Sequence, residues 1–207
     1  MGHFMNFWDQ QFSVPDFRYG QQANRFLREQ AVRLQPQSRV LLPGDGEGRN
    51  SVWLAGQGHH STAMDSSSVG LEKAVSLAGQ RGVSIAVIQA DLADWVPEPA
   101  SFNAVVLIYV HLPPDLRQLA HQRLATALRP GGLFILEAFH PLQLGYHSGG
   151  PKAQAMLYSA DMVCTDLNQS MVPAFEEIMA WEGEALLDEG SGHQGLAYLT
   201  RYIARRT

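Results

Sequence analysis

Chemistry in this chain concentrates at Val40-Leu41-Leu42-Pro43-Gly44-Asp45-Gly46-Glu47-Gly48-Arg49-Asn50. An apolar run ends in alternating glycines and passes into a helical pattern. Glycine lets the backbone bend tightly and lie against a ligand with no Cβ in the way. A helix starting just beyond adds unpaired N–H groups and a partial positive charge. Pro43, Gly44, Asp45, Gly46, Gly48 and Asn50 are therefore candidate cofactor-binding residues. Asp45 and Glu47, set between the glycines, are both acidic. A pyrophosphate needs such a cradle free of carboxylates, whereas a cofactor bearing a sulfonium and an ammonium tolerates them. The loop reads as a site for the methyl donor S-adenosylmethionine.

Further candidates follow at strand ends. Asp65 lies roughly 20 residues past the loop, where a carboxylate can accept the protons of both ribose hydroxyls; Ser66 follows it, and the bland alternative for Asp65 is a helix N-cap. Asp91 is placed to accept from an adenine amino group and the Leu92 N–H to meet a ring nitrogen, unless Asp91 is simply a solvated loop residue. Ile108 ends a central strand facing the expected sulfonium, with Tyr109 and His111 beside it as substrate-side candidates or packed residues. His140 and Tyr146, in a long Gly/Pro-rich stretch, and His193, near the end of the chain, complete the substrate-side set. An oxygen nucleophile would need a general base, for which His111, His140 and His193 are the candidates. No His/Cys/Asp/Glu set has metal-ligand spacing, so no metal is expected. Cys164 stands alone without a motif and reads as structural.

These residues need a scaffold that brings strand ends together. Apolar runs alternate with helical patterns, the signature of a parallel sheet flanked by helices. Strands are expected at Arg39–Pro43, His60–Met64, Val83–Gln89, Phe102–Val110 and Leu133–Ala138, the fourth central because it is apolar on both faces. Helices are expected from Asn50, after the Ser66-Ser67-Ser68 run, and from Pro113-Pro114-Asp115. Arg129-Pro130-Gly131-Gly132 reads as a turn, and His140 to about Ser159 as an unpatterned loop. Phe175–Leu187 and Gly195–Ala204 form an expected antiparallel hairpin around Asp188–His193. Residues 1–35 read as an aromatic-rich cap carrying Phe4, Phe7, Trp8, Phe12, Phe17 and Tyr19, on a core spanning 36–207, the whole being one domain.

Bulk properties exclude other classes. The chain has 207 residues, a formal net charge of −5 and 45% hydrophobic content, which suits one soluble domain with a sizeable core. The negative charge argues against a nucleic-acid partner held through phosphates. No basic amphipathic stretch or long apolar run suggests a membrane, and the Met-Gly-His-Phe start does not read as a signal peptide. A single cysteine fits a reducing compartment, so the expected location is the cytoplasm. Oligomeric state is not legible in the sequence.

Four features in order carry a family resemblance: Leu42-Pro43-Gly44-Asp45-Gly46-Glu47-Gly48, the strand-ending Asp65, Gln89-Ala90-Asp91-Leu92, and Leu128-Arg129-Pro130-Gly131-Gly132-Leu133. On them the chain resembles the class I S-adenosylmethionine-dependent methyltransferases, over nearly its whole length. Trp8-Asp9, Tyr19-Gly20, Asn24 and Leu187-Asp188-Glu189-Gly190 with His193 look like the branch of tellurite-resistance and thiopurine methyltransferases. The resemblance implies an α/β, Rossmann-like, doubly wound fold, a seven-stranded mostly parallel sheet with its last strand antiparallel and an N-terminal helical cap. It also implies methyl transfer to a small molecule, with a soft S, Se or Te nucleophile favoured. Leu42 departs from the acidic residue that the family often has at the end of the first strand. Two rivals remain: an NAD-dependent oxidoreductase, for which Gly48 falls one residue early, and a protein that binds a nucleoside cofactor without catalysis.

Overall fold

A computed structural model describes residues 6–169 and 174–207. Phe4, expected in the cap, lies outside them. The apolar runs become β1 (Arg39–Pro43), β2 (His60–Asp65), β3 (Ala86–Gln89), β4 (Phe102–Ile108), β5 (Leu128–Phe139), β6 (Phe175–Glu189) and β7 (His193–Arg206). They form one sheet in the order β3-β2-β1-β4-β5-β7-β6. β1 pairs in parallel with β2 and β4, as do β2 with β3 and β4 with β5. β7 runs antiparallel between β5 and β6. The expected Rossmann-like sheet with an antiparallel last strand is therefore present, and β4 is central as its apolar character required.

The helices α1 (Phe7–Phe12), α2 (Arg25–Gln30), α3 (Arg49–Gly56), α4 (Ser68–Gln80), α5 (Pro114–Ala127) and α6 (Ala160–Asn168) flank this sheet. Caps start them where the sequence supplies short polar side chains: Ser67 accepts from the Gly70 N–H at α4 and Ser159 from the Met162 N–H at α6. One apolar layer centres on Leu41, Val105, Phe134 and Tyr202, and the other on Phe26, Val40, Val106 and Ile135. Alternate residues of the central strands thus feed opposite faces, which is why those strands read as unbroken apolar runs.

Three expectations are corrected. Arg129-Pro130-Gly131-Gly132 is not a separate turn but an irregular start to β5, where the register slips between Phe102↔Leu128 and Ala104↔Leu133. β3 is shorter than its apolar run: Val83 and Ile85 pack on α3 and α4 residues instead of joining the ladder. The stretch after β5 is not a single unpatterned loop; it holds 3-10 turns at Pro141–Gly145 and Gln154–Met156 and then reaches α6. The effect of the whole arrangement is to gather the carboxyl ends of β1, β2 and β4 at one side of the sheet, under α1 and the chain that follows it.

Candidate functional site

A cavity of about 410 Å³ opens at those strand ends. Of the cofactor-side candidates, Gly44, Asp45, Gly46, Asn50, Asp65, Ser66, Asp91, Leu92 and Ile108 line it; Pro43 and Gly48 do not. Gly44, Gly46 and Gly48 all adopt positive φ, at +66°, +58° and +85°. Gly48 has a packing role, since a Cβ there would lie 2.4 Å from the Ala74 Cβ on α4. Pro43 is buried at the end of β1.

Asp65 is buried, and its two oxygens accept from the Gly46 N–H and the Ser67 N–H, both at 2.9 Å. It therefore ties the end of β2 to the glycine loop, and burial raises its carboxyl above the ordinary range. Asp91 accepts from the Ala93 N–H at 2.9 Å and faces the cavity with no cation on it among the described residues. Asp45 lines the cavity and both its carboxylate oxygens are buried, with Ser51 beside them. Burial, aided by Asp65 nearby, pushes the Asp45 carboxyl up to about 7.

Glu47 differs from its expected place. Its carboxylate turns away from the cavity to Lys73 on α4, at 2.8 Å, and accepts from the Arg18 N–H of the cap at 2.8 Å. It clasps the cap instead of charging the cradle. The carboxyls that a pyrophosphate would meet there are instead Asp65 and Asp91. Arg49 lines the cavity too, but its guanidinium is already held by Glu189 at 2.6 Å. The fit is to a ligand with cationic groups and a nucleoside-sized body.

At the other end the wall comprises Tyr19, Tyr109, His111 and His193. His111, one of the three candidate bases, has both ring nitrogens committed, as a packed residue would. Nδ1 lies 2.6 Å from the Met156 carbonyl and Nε2 accepts from the Phe139 N–H at 3.2 Å, so Nδ1 carries the proton. Burial lowers it to about 4. His193 sits among the rings of Tyr109, Tyr19 and Phe139, at 4.4, 4.5 and 5.1 Å, with Nδ1 buried and unpartnered. Burial first, then Arg49, lowers it to about 3. His140 and Tyr146 do not line the cavity: His140 caps a 3-10 turn through the Leu142 N–H and faces Glu182, and the Tyr146 hydroxyl bonds Glu184. Cys164 is half-buried against the core.

Beneath this wall lies a charged cluster in which the sequence points to Asn24 and Glu189 but not to Glu137 or Arg201. Glu137 of β5, 1% exposed, accepts from Asn24 Nδ2 (2.6 Å), the Tyr109 hydroxyl (2.8 Å) and Arg201 Nε (2.5 Å). Burial raises its carboxyl, and Arg201, Asn24 and Tyr109 oppose that rise. Asn24 also donates to Glu189, which holds Arg49, so cap, glycine-loop helix, sheet and hairpin meet in one network. The available signal was a lone acid inside the apolar run Leu133–Phe139, since a buried charge must be paired.

Residues 40–132 match the family described as "Methyltransferase domain". Among curated relatives, the chain is 34% identical over 108 residues to a carboxy-S-adenosyl-L-methionine synthase of Aeromonas salmonicida, covering 49% of this chain and 44% of that protein. It is 26% identical over 168 residues to a probable thiol methyltransferase 2 of Arabidopsis thaliana, covering 78% and 69%. A solved structure titled "Conversion of a Disulfide Bond into a Thioacetal Group during Echinomycin Biosynthesis" superposes with TM-score 0.79 at 17% identity, over 99% of this chain and 92% of that one. The chain spans about half the length of the first curated relatives it matches, 45% and 44%. Among the described residues, no helix is long and apolar enough to cross a membrane.

Proposed function

We propose that the chain is a single-domain S-adenosylmethionine-dependent methyltransferase acting on a small-molecule acceptor with a soft S, Se or Te nucleophile. The observation that carries the acceptor part is the lack, among the described residues, of a competent histidine base at the acceptor wall. His111 has no free nitrogen, His140 lies off the cavity, and burial leaves His193, at about 3, too weak to take a proton from an alcohol. Soft nucleophiles are already reactive near neutral pH and ask for no such group. The relative named as a probable thiol methyltransferase is in keeping with this, and with the tellurite-resistance and thiopurine-like branch.

When bound, S-adenosylmethionine would supply an electrophilic sulfonium methyl carbon: an acceptor lone pair bonds to that carbon in line as the carbon–sulfur bond breaks, and S-adenosylhomocysteine leaves with the electron pair. The chain's own part is to bind, orient and exclude water, and orientation alone can lower a barrier by about 7–11 kcal/mol. Asp65 is assigned to the ribose hydroxyls, and Asp91 with the Leu92 N–H to the adenine. Gly44, Asp45, Gly46 and Asn50 are assigned to the methionine side, Ser66 and Ile108 to the flanks. Trp8 and Phe12 of the cap, stacked at 5.5 Å, cover one face. The net charge of −5 weighs against nucleic acid as substrate, and the single cysteine suits a cytoplasmic setting.

The test is a calorimetric titration with S-adenosylhomocysteine, with NAD as control. Micromolar binding of the first and none of the second is the expected result; NAD binding in its place would make the chain an oxidoreductase. Asp65→Ala should abolish binding, and Asp65→Asn should weaken it at least tenfold. An Asp65→Asn variant with unchanged affinity would leave Asp65 only its bonds to Gly46 and Ser67.

A further inference from the structure

Tyr109 is the unusual residue of the acceptor wall. Its φ is +56°, in a region that a bulky side chain rarely enters. Such a strained conformation persists only where the surroundings over-determine it. Glu137 enforces it twice: the Tyr109 N–H donates to the Glu137 carbonyl at 2.8 Å, and the Tyr109 hydroxyl donates to the Glu137 carboxylate at 2.8 Å. The ring is then stacked on Phe139 at 4.9 Å and meets His193 edge-on at 4.4 Å. The turn at Tyr109 swings the chain across the mouth of the cavity, so that consecutive residues from Ile108 to Leu112 all line it. A regular continuation of β4 would send alternate side chains away.

We propose that Glu137 is a positioning residue for the acceptor: by clamping Tyr109 in its left-handed conformation it sets the aromatic wall against which the acceptor is aligned. The Tyr109 hydroxyl is drawn down into the carboxylate, so the ring presents its apolar surface and not its hydroxyl. Asn24 of the cap donates to the same carboxylate oxygen as Tyr109, and Arg201 of β7 neutralises the other. The wall is therefore set only where cap and sheet are docked together. This inference rests on the methyltransferase reading, and on nothing in the cofactor half of the cavity.

The experiment compares wild type, Tyr109→Phe, Glu137→Gln and Glu137→Ala in methylation of thiophenol, hydrogen sulfide and selenite, with S-adenosylhomocysteine affinity measured in parallel. Tyr109→Phe removes only the hydroxyl bond and keeps the ring, so it guards against a Glu137 variant that fails to fold. Expected for Tyr109→Phe and Glu137→Gln is a roughly tenfold or larger rise in acceptor KM. Their S-adenosylhomocysteine affinity should stay within about twofold of wild type, and Glu137→Gln should recover part of the loss seen in Glu137→Ala. Parallel loss of acceptor KM and S-adenosylhomocysteine affinity, or no change in acceptor KM, would overturn the positioning role. Wild type that binds no S-adenosylhomocysteine, or methylates none of the three acceptors, would overturn the methyltransferase reading itself, and the positioning role with it.

Discussion

At the scale of single residues, Asp45 shows what burial does to a carboxyl in a ligand loop. Both oxygens are buried, and burial, opposed by hydrogen bonding from Ser51 and aided by the nearby Asp65, pushes it up to about 7 from an ordinary 3.8. Between those values the folded chain holds a proton that the unfolded chain has released. Stability contributed this way is present at low pH and is lost as pH rises toward 7, by an amount on the order of 2–4 kcal/mol. Asp45→Asn cannot ionise, so its urea midpoint should exceed that of wild type at about pH 8 and approach it at about pH 5. Equal midpoints of the two proteins at the higher pH would show that Asp45 is already ionised in the folded state. Glu47, the neighbouring acid, has the opposite fate because Lys73 lies 2.8 Å from it. Two carboxylates in one short motif thus differ wholly in environment, and their spacing in sequence does not distinguish them.

At the scale of elements, the third glycine fixes how α3 meets α4. A Cβ at Gly48 would lie 2.4 Å from the Ala74 Cβ and 2.7 Å from its Cα, and φ is +85°. Backbone and side chain therefore both oppose substitution, so Gly48→Ala should cost roughly 3 kcal/mol or more by denaturant unfolding. Adding Ala74→Gly should recover the contact part and leave the backbone part. Full recovery would mean that φ carries no penalty, and no recovery that α4 is not the obstacle. The elements that sequence patterning misplaced have physical reasons. Pro130 and the glycines read as a turn, yet an irregular strand start tolerates them where the ladder slips. α6 is short and buries a stripe of only Ala160, Val163 and Leu167 in the core, where Arg117 on α5 also meets its Asp166 at 2.8 Å.

At the scale of the whole molecule, the buried histidines govern acid sensitivity. Burial lowers His111 to about 4 and His193 to about 3. Below roughly pH 6.5 the unfolded chain takes up protons that these folded residues refuse, so stability falls as pH drops. The two together amount to on the order of 5 kcal/mol by about pH 4, against which the Asp45 effect runs in the opposite sense. A stability maximum near pH 6–7 is expected, read as Tm across about pH 4–9. A Tm that held steady from neutrality down to pH 4 would show that these rings ionise in the folded state. The same packing that strips His111 and His193 of basicity sets the rings of Tyr109 and Tyr19 against His193, so acid lability and the shape of that end of the cavity share one origin.

The sequence by itself determined the sheet and the glycine loop and acids that line one end of the cavity. Those depend on local signals: apolar period, glycines that relieve backbone strain, and acids just after a strand. It is for this reason that Gly44, Gly46, Asp65 and Asp91 could be named from the motif and do converge on one cavity. Only the tertiary structure decided the acceptor side. Whether His111 is a base depends on a carbonyl at Met156 and an N–H at Phe139, and whether Tyr109 is turned depends on Glu137. Those partners lie some tens of residues away along the chain and meet only when strands pair. A side chain's proton affinity and orientation are set by what surrounds it in space, and that neighbourhood has no local trace in the sequence.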